Sequence, residues 1–457
     1  MLEAAGVSTG EVAAWRESAP TEGAAFPEAA RAVSEFLTHG ERLLGRLPAR
    51  RDRNEAEVEA AAYLTSALDA ERSRFMRAHA AEVYAALTDG LRRAVRDEEL
   101  VYAAAERFPG LVPSREEMAR ERELALPDKE GIEVAQGLFL SFVLAEPRCG
   151  AHLVWSMLRP MPESLARLDD FRATGVAHLG RTYLERRGNA AYLEIRNERH
   201  LNAEDCDTLP TTEVAVDLAL LDPQVEVGVF RGAVVGHPRY AGMRVFGAGL
   251  NLTHLYYGRL DFLFFVTRDL GYVNKLFRGL SSDEHRPDEP EETIEKLWIA
   301  AVETFAIGGA CQILHTVDHV IATRGTRLYL PARKEGILPG ASNLRLPRSV
   351  GDRLARQAIL SGLEFEAGTP QGDLLCDEVI DSSAEMDDAI SRRVEALTSS
   401  GLVNAAGNRR ALRVATEPLD LFRRYMAMFC REQAYCHLSP ALVRNLEQNW
   451  NAHERRL

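Results

Sequence analysis

The chain has 457 residues, 46% hydrophobic and 27% charged, which is typical of a globular protein with two or three domains. Its net charge of −13 argues against nucleic acid or an anionic membrane as a partner, because both require a basic surface. No apolar run approaches the roughly 20 residues of a membrane helix, and the opening MLEAAGVSTGEVAAW lacks the basic and apolar parts of a signal peptide.

The cysteines are scattered without CxxC pairing, which is unlike a zinc site or a disulfide framework. They are Cys149, Cys206, Cys311, Cys376, Cys430 and Cys436. This usage suits a reducing compartment, so we expect a cytoplasmic protein whose cysteines are ordinary packing residues.

Residues 1–185 are predicted to form a helical N-terminal domain. An apolar stripe recurs at helical spacing through Met76, Ala80, Val83 and Leu87, with charged residues between them. No convincing catalytic motif lies in this region, which favours a packing or lid role.

Residues 186–385 are predicted to form an α/β core. Short strands are expected at AAYLEIR, VEVGVF, WIAAVETFAIGG, HVIA and TRLYLP, with helices between them. The segment SSDEHRPDEPEE, 281–292, is acidic and contains prolines, and it is typical of a surface loop.

Residues 386–457 are predicted to form a C-terminal helical region. Phe422, Tyr425, Met426 and Phe429 make an apolar stripe, which is more often core or an oligomer interface than a binding site.

Two glycine turns stand out within the core. FGAGLNL (246–252) and AIGGACQIL (306–314) each predict a strand end, a glycine turn and a helix start. Such turns expose backbone N–H groups where negative charge is favoured, and two of them can direct N–H groups at one thioester oxygen.

Several cofactor classes lack support. HTVDH separates His315 and His319 by one helical turn, as in some metal sites, but no third ligand is suggested and we expect no metal. The sequence contains no GxxxxGK[ST], GxSxG or GxGxxG, so ATP, flavin and nicotinamide chemistry are not indicated.

The order RNERHLNA, FGAGLNL, AIGGACQIL and LPARKEGILPGASNLRLPRSVG resembles the crotonase (enoyl-CoA hydratase/isomerase) superfamily. The further segments LNAED, LALLDP, HPRY, RDLGY, PGASNLRL and ARQAIL are similar to its cofactor-independent dioxygenases that act on 3,5-dihydroxyphenylacetyl-CoA in glycopeptide-antibiotic biosynthesis. The resemblance implies an α/β fold, a crotonase-like ββα spiral core with a helical N-terminal domain and C-terminal helices.

The resemblance assigns the oxyanion hole to the N–H groups of Leu250 and Gly309. Hydratases of the superfamily carry two catalytic glutamates, and this chain has Gln312 and Ala332 at those positions. Neither residue ionises as a carboxylate, so the paired acid and base groups that catalyse hydration are missing at these two positions.

The resemblance also implies an apolar pocket for O2, polar groups for the ring hydroxyls, and contacts for CoA. The pocket residues are Leu252, Ala332 and Ile337, the ring-binding residues are Glu204, Arg268 and Gln312, and the CoA-binding residues are Arg199 and His200. The alanine of LPARKEGILPG would thus leave space for O2.

The function implied is a metal- and flavin-independent dioxygenase that converts 3,5-dihydroxyphenylacetyl-CoA and O2 to 3,5-dihydroxyphenylglyoxylate and CoA. An oxygen-independent hydrolase or isomerase of acyl-CoA, and a catalytically silent CoA-binding subunit, are the alternatives. Crotonases are usually trimers or dimers of trimers, so a homo-oligomer is expected.

Overall fold

The computed structural model describes residues 8–20, 23–282, 292–399 and 401–456. Most of the predicted acidic loop, 283–291, lies outside these residues. Within them, no helix combines the length and hydropathy required to cross a membrane.

The N-terminal region is helical through Thr174. Its helices are α1 Thr9–Glu17, α2 Phe26–Leu44, α3 Glu55–Leu87, α4 Asp97–Arg107, α5 Arg115–Arg122, α6 Val134–Ala145, α7 Pro147–Met157 and α8 Pro162–Thr174. The long helix α3 begins at a capping box, in which Asn54 and Glu57 each accept a hydrogen bond from the other's backbone N–H. The predicted stripe Met76, Ala80, Val83 and Leu87 is buried on this helix.

Strands begin earlier than the predicted boundary at residue 185. β1 Val176–His178 and β2 Thr182–Arg187 form an antiparallel edge of the sheet. The prediction of helix through residue 185 was therefore wrong. An edge hairpin with charged residues in TYLERR has a weak apolar alternation, because one of its faces is only partly buried.

The main sheet has strand order β1-β2-β3-β4-β6-β8-β11, with β5 paired to β4. The strands that follow β2 in this sheet are β3 Ala190–Ile195, β4 Val227–Val234, β5 Arg244–Val245, β6 Leu297–Val302, β8 His319–Thr323 and β11 Glu378–Ile380. From β3 to β11 the neighbours in this order are parallel. Residues of β6 are buried along the whole strand, as expected for a central parallel strand.

A second, smaller sheet has the order β10-β9-β7. It consists of β7 Phe305–Ile307, β9 Arg327–Tyr329 and β10 Phe365–Glu366. The predicted single run WIAAVETFAIGG therefore divides between two sheets, and its second part leads directly into a glycine turn.

Helices connect the strands of the core and carry most of the site. They are α9 Thr208–Leu221, α10 Leu252–Tyr256, α11 Phe262–Leu270, α12 Tyr272–Arg278, α13 Gly309–Ile313, α14 Ala332–Glu335 and α15 Ser342–Arg356. Both glycine segments have the predicted order of strand, turn and helix.

The C-terminal helices are α16 Met386–Thr398, α17 Leu402–Thr416, α18 Leu419–His437 and α19 Pro440–Trp450. The stripe predicted on α18 is largely core, since Phe422, Met426 and Phe429 are buried. Helix α18 packs along α6 of the N-terminal region, so the two ends of the described chain share one hydrophobic core.

Candidate active site

A cavity lies where the two glycine turns, helix α11, the segment from Pro331 to Gly340 and helix α18 meet. Predicted site residues that line it are Leu250, Arg268, Gly309, Gln312, Ala332 and Ile337. The fold thus brings together residues that are up to 87 positions apart in the sequence.

The two glycine turns adjoin each other. Gly249 and Gly308 have φ of +79° and +54°, in the region that disfavours other residues. A β-carbon added to Gly249 would lie 3.0 Å from the amide nitrogen of Gly309, so this glycine also permits the close approach of the turns. The turns are linked by a hydrogen bond of 3.1 Å from the Ile307 N–H to the Gly247 carbonyl.

The predicted donors are available at this junction. Within the described residues, neither the N–H of Leu250 nor that of Gly309 donates a hydrogen bond. Gly309 is the first residue of α13, where N–H groups have no partner inside the helix. Both residues line the cavity, so a thioester oxygen bound there is within reach of preorganised donors.

Arg268 is buried at the base of the cavity and holds several elements together. Its Nε donates to Glu204 Oε1 at 2.8 Å, its Nη1 to Gln312 Oε1 at 2.7 Å and to Asp269 Oδ1 at 2.9 Å. Its Nη2 donates to the carbonyl of Gly309 at 2.8 Å. Arg268 therefore fixes the second glycine turn as well as Gln312.

The charges around Arg268 are tightly coupled. Burial would lower the pKa of Arg268, but Glu204, Tyr272 and Asp269 outweigh it and raise this pKa above its usual value. Burial also raises the pKa of Asp269, although Arg268 opposes this effect. The arginine therefore stays a cation despite its burial.

Glu204 lies behind the second glycine turn and does not line the cavity. It accepts hydrogen bonds from Arg268 and from the Tyr272 hydroxyl through Oε1. Its Oε2 is buried without a hydrogen-bond partner among the described residues, as is Asp269 Oδ2. A β-carbon on Gly309 would lie 2.2 Å from Glu204 Oε2, so a larger residue at this position would displace the Glu204 carboxylate.

Two of the three predicted oxygen-pocket residues share the cavity wall. Ala332 and Ile337 line the cavity together with Phe265, Leu338 and Phe429. Leu252 is the first residue of α10 and lies outside this lining, partly buried against the core. The five residues of this wall give the cavity an apolar part.

The predicted CoA-binding residues lie in a short turn, Glu198–His200, away from the cavity lining. Arg199 is exposed. The ring of His200 contacts His254, and its Nδ1 lies 3.2 Å from Asn197 Oδ1. Burial, followed by the charges of His254 and Arg199, lowers the pKa of His200.

Sequence analysis missed several cavity residues. Phe265, Asp269, Glu335 and Phe429 line it without having been predicted as site residues. The signal for Glu335 was its position three residues after Ala332, which places both on one side of a helical turn. For Phe429 the sequence carried no such signal, because its contact with the core is long-range.

His315 and His319 do not share a helix. Helix α13 ends at Ile313, His315 lies in the following turn and His319 begins β8, so the predicted helical spacing was wrong. Burial lowers the pKa of His315 to about 3, which favours the neutral ring. Among the described residues, no group of three or more His, Cys, Asp or Glu side chains is placed to hold a metal ion.

Comparison with known proteins agrees with this architecture. Residues 291–421 match the family described as enoyl-CoA hydratase/isomerase. A solved structure of an enoyl-CoA hydratase/isomerase from Xanthobacter autotrophicus Py2 superposes on this chain with a TM-score of 0.50 and 19% sequence identity. The superposition includes 60% of this chain and 96% of that structure. This likeness shows the fold: the chain has the crotonase fold.

Sequence comparison defines a narrower relationship. The chain is 45% identical over 405 residues to the (3,5-dihydroxyphenyl)acetyl-CoA 1,2-dioxygenase of Amycolatopsis orientalis, which covers 88% of this chain and 92% of that protein. It is also 30% identical over 213 residues to a short-chain-enoyl-CoA hydratase of Clostridium acetobutylicum. This alignment covers 46% of this chain and 73% of the hydratase. The chain belongs to the crotonase superfamily, in the branch that contains the dioxygenase.

Proposed function

We propose that the protein is a dioxygenase that converts (3,5-dihydroxyphenyl)acetyl-CoA and O2 to (3,5-dihydroxyphenyl)glyoxylate and CoA, without a metal or a flavin. The observation that carries the proposal is the 45% identity to a dioxygenase of this specificity over 88% of the chain. The cavity supports it, because its lining includes Gln312 and Ala332, the two residues that by the resemblance replace the catalytic glutamates of hydratases.

In the first step the thioester oxygen accepts hydrogen bonds from the N–H groups of Leu250 and Gly309. These donors stabilise the negative charge that develops on the oxygen when the α-carbon loses a proton. The product of this step is an enolate conjugated with the dihydroxyphenyl ring.

In the second step this electron-rich enolate transfers one electron to O2, and the two radicals combine to a peroxide at the α-carbon. Ala332 and Ile337 leave apolar space beside the thioester, and O2 is uncharged and hydrogen-bonds poorly. The peroxide closes on the thioester carbonyl, and CoA leaves as a thiolate. The O–O bond then breaks as the remaining α-hydrogen is lost to solvent as a proton, which gives the 2-oxo acid. Both oxygen atoms of O2 enter the product.

The polar base of the cavity suits the ring hydroxyls of the substrate. The side-chain amide nitrogen of Gln312 donates to no described residue, so it remains available as a donor. Glu204 Oε2 and Asp269 Oδ2 are buried acceptors without partners in the same region. We propose that Glu204, Arg268 and Gln312 select the hydroxylated ring, with Arg268 acting mainly by holding the other two in place.

The remaining assignments extend this proposal. Arg199 and His200 would contact the phosphates of CoA, and Leu252 would contribute to the oxygen pocket from α10. We propose that the enzyme works as a homo-oligomer in the cytoplasm.

The experiment that tests the proposal is oxygen uptake by purified, chelator-treated protein supplied with (3,5-dihydroxyphenyl)acetyl-CoA and isotopically heavy O2. We expect heavy oxygen in both the keto and the carboxylate groups of the product, with no metal added. Release of CoA without oxygen consumption would indicate a hydrolase instead. The absence of any reaction would favour a silent CoA-binding subunit or another acyl group.

A further inference from the structure

The cavity contains a carboxylate that the proposed reaction has not yet used. Glu335 is the last residue of α14, Ala332–Glu335, and it lines the cavity together with Leu250 and Gly309. It lies three residues after Ala332, on the same side of the helical turn. The carboxylate thus belongs to the wall that borders the predicted oxygen pocket.

The Glu335 carboxylate has no partner among the described residues, since no hydrogen bond or ion pair there involves its side chain. The neighbouring basic residues of the same turn, Arg333 and Lys334, are exposed. Lys334 approaches Glu364 instead, with 3.8 Å between Nζ and Oε1. Ionising a partly buried acid without a counter-ion costs free energy of folding, and such groups are often found where they have a chemical role.

The backbone that carries Glu335 is held firmly. The Glu335 N–H donates to the Pro331 carbonyl at 3.0 Å, and the Gly336 N–H donates to the Ala332 carbonyl at 2.7 Å. From α19, Asn449 donates to the carbonyl of Lys334 at 3.1 Å. The turn is therefore held on both sides, which fixes the backbone from which the Glu335 side chain extends.

Its environment suits proton transfer near neutral pH. Burial raises the pKa of Glu335 to about 7, and a general base works best when its pKa is close to the working pH. The charged groups that line the cavity from another element are Arg268 and Asp269 of α11, which are hydrogen-bonded to each other. Phe429 of α18 carries no charge.

We propose that Glu335 is the catalytic base that removes the α-proton of the bound arylacetyl thioester, an inference that rests on the dioxygenase function proposed above. The α-carbon–hydrogen bond breaks and an O–H bond forms on Glu335. The electron pair enters the enolate, whose oxygen accepts hydrogen bonds from Leu250 and Gly309. The protonated Glu335 later donates its proton to the departing CoA thiolate and returns to the carboxylate form.

The test separates proton removal from oxygen chemistry. The protein is incubated with (3,5-dihydroxyphenyl)acetyl-CoA in deuterated buffer without O2, and the deuterium content of the α-carbon is followed by mass spectrometry against a sample without protein. We expect the unmodified protein to accelerate the exchange. Glu335→Gln should slow it at least about 100-fold, the usual contribution of a positioned base.

Matched variants define the result. Lys334→Gln changes the adjacent, exposed residue of the same turn and should exchange at the rate of the unmodified protein. Glu335→Asp keeps a carboxylate and should retain part of the activity. Equilibrium binding of the substrate to Glu335→Gln and the circular dichroism spectrum of this variant check that the site is folded. If Glu335→Gln is unfolded, the exchange rate of Glu335→Asp is used instead. A Glu335→Asp rate equal to that of the unmodified protein would then overturn the proposal.

The outcomes distinguish this inference from the function on which it rests. If the unmodified protein consumes O2 and folded Glu335→Gln exchanges at the same rate, Glu335 is not the base, although the dioxygenase stands. If exchange is lost in Glu335→Gln while the unmodified protein consumes no O2, the base is supported and the proposed oxygenation fails.

Discussion

Two glutamates, Glu335 in the cavity and Glu417 at the base of the C-terminal helices, show how differently this chain treats a buried carboxylate. Glu417 is fully buried and accepts hydrogen bonds from Arg345 Nε and Nη2, each at 3.0 Å. Arg278 and Arg348 also contact it, the latter at 2.8 Å. Glu335 has no such partner among the described residues.

The pKa values of the two acids are displaced in opposite directions. Burial favours the neutral form of both. At Glu417 the arginines, led by Arg345, overcome burial and lower the pKa to about 2, whereas at Glu335 burial acts alone and raises the pKa to about 7. Glu417 is thus a permanent anion that joins α12, α15 and the C-terminal helices, while Glu335 can exchange a proton at neutral pH.

The largest expected effect follows from placing a further carboxylate in the cavity, beside Glu335. Ala332→Glu would fill the space assigned to O2 and bring a like charge close to Glu335. We expect oxygen consumption with (3,5-dihydroxyphenyl)acetyl-CoA to fall at least about 1000-fold, which corresponds to about 4 kcal/mol of activation free energy. Binding of the CoA ester, measured by calorimetry, should change little. Ala332→Ser, which stays small, is the control, and normal turnover of Ala332→Glu would contradict the oxygen pocket.

The second effect follows from removing the charge of Glu417. Glu417→Gln leaves buried arginines without their counter-ion, and we expect the free energy of unfolding at pH 7 to fall by about 3–5 kcal/mol. Because the folded-state pKa is lowered, the stabilisation is complete above pH 4.5, the ordinary pKa of glutamate, and is lost as the pH falls towards 2. Denaturant titrations at several pH values should show the difference shrinking in acid.

The control for this prediction is Glu432→Gln on α18, which breaks an exposed ion pair with Arg431. Surface pairs contribute up to about 1 kcal/mol, so this variant should remain close to the unmodified protein. An equal decrease in the free energy of unfolding of the two variants would show that the buried Glu417 cluster stabilises the fold no more than an exposed ion pair does.

The smallest effect concerns the stability of the cavity itself. Because the folded-state pKa of Glu335 is raised from 4.5 to about 7, its neutral form stabilises the fold at low pH, and this contribution is lost as the pH rises through 7. Glu335→Gln, which never ionises, should match the unmodified protein near pH 4.5 and be more stable by about 1–3 kcal/mol at pH 8. Thermal unfolding at both pH values measures this, and a less stable variant at pH 8 would reveal an overlooked partner of Glu335.

The parts of the site that the sequence predicted are local. Each glycine turn is specified by a few neighbouring residues, so FGAGLNL and AIGGACQIL were placed correctly between a strand and a helix. HTVDH was misassigned because an i, i+4 pattern fits a helix, whereas the chain turns after Ile313 and enters β8. The spacing of two residues in so short a segment does not distinguish a helix from a turn followed by a strand.

The parts that the sequence did not predict depend on distant contacts. Phe429 belongs to a stripe that was predicted to be core or an oligomer interface rather than a site. It is buried, but it also lines the cavity. Within LPARKEGILPG, Arg333 and Lys334 are exposed whereas Glu335 is partly buried and lines the cavity, a difference that the sequence did not predict. Which of these consecutive charged residues is exposed and which lines the cavity depends on the fold.

The late position of helix α18 in the sequence affects when the cavity can form. It supplies Phe429 to the cavity, and the hydroxyl of Tyr425 donates to the carbonyl of Gly340 on the cavity's far wall. The two glycine turns and Glu335 have all been synthesised once the chain reaches residue 340, but Phe429 of the cavity wall comes nearly 90 residues later. The cavity can therefore be complete only after α18 has been synthesised and has packed against the rest of the fold.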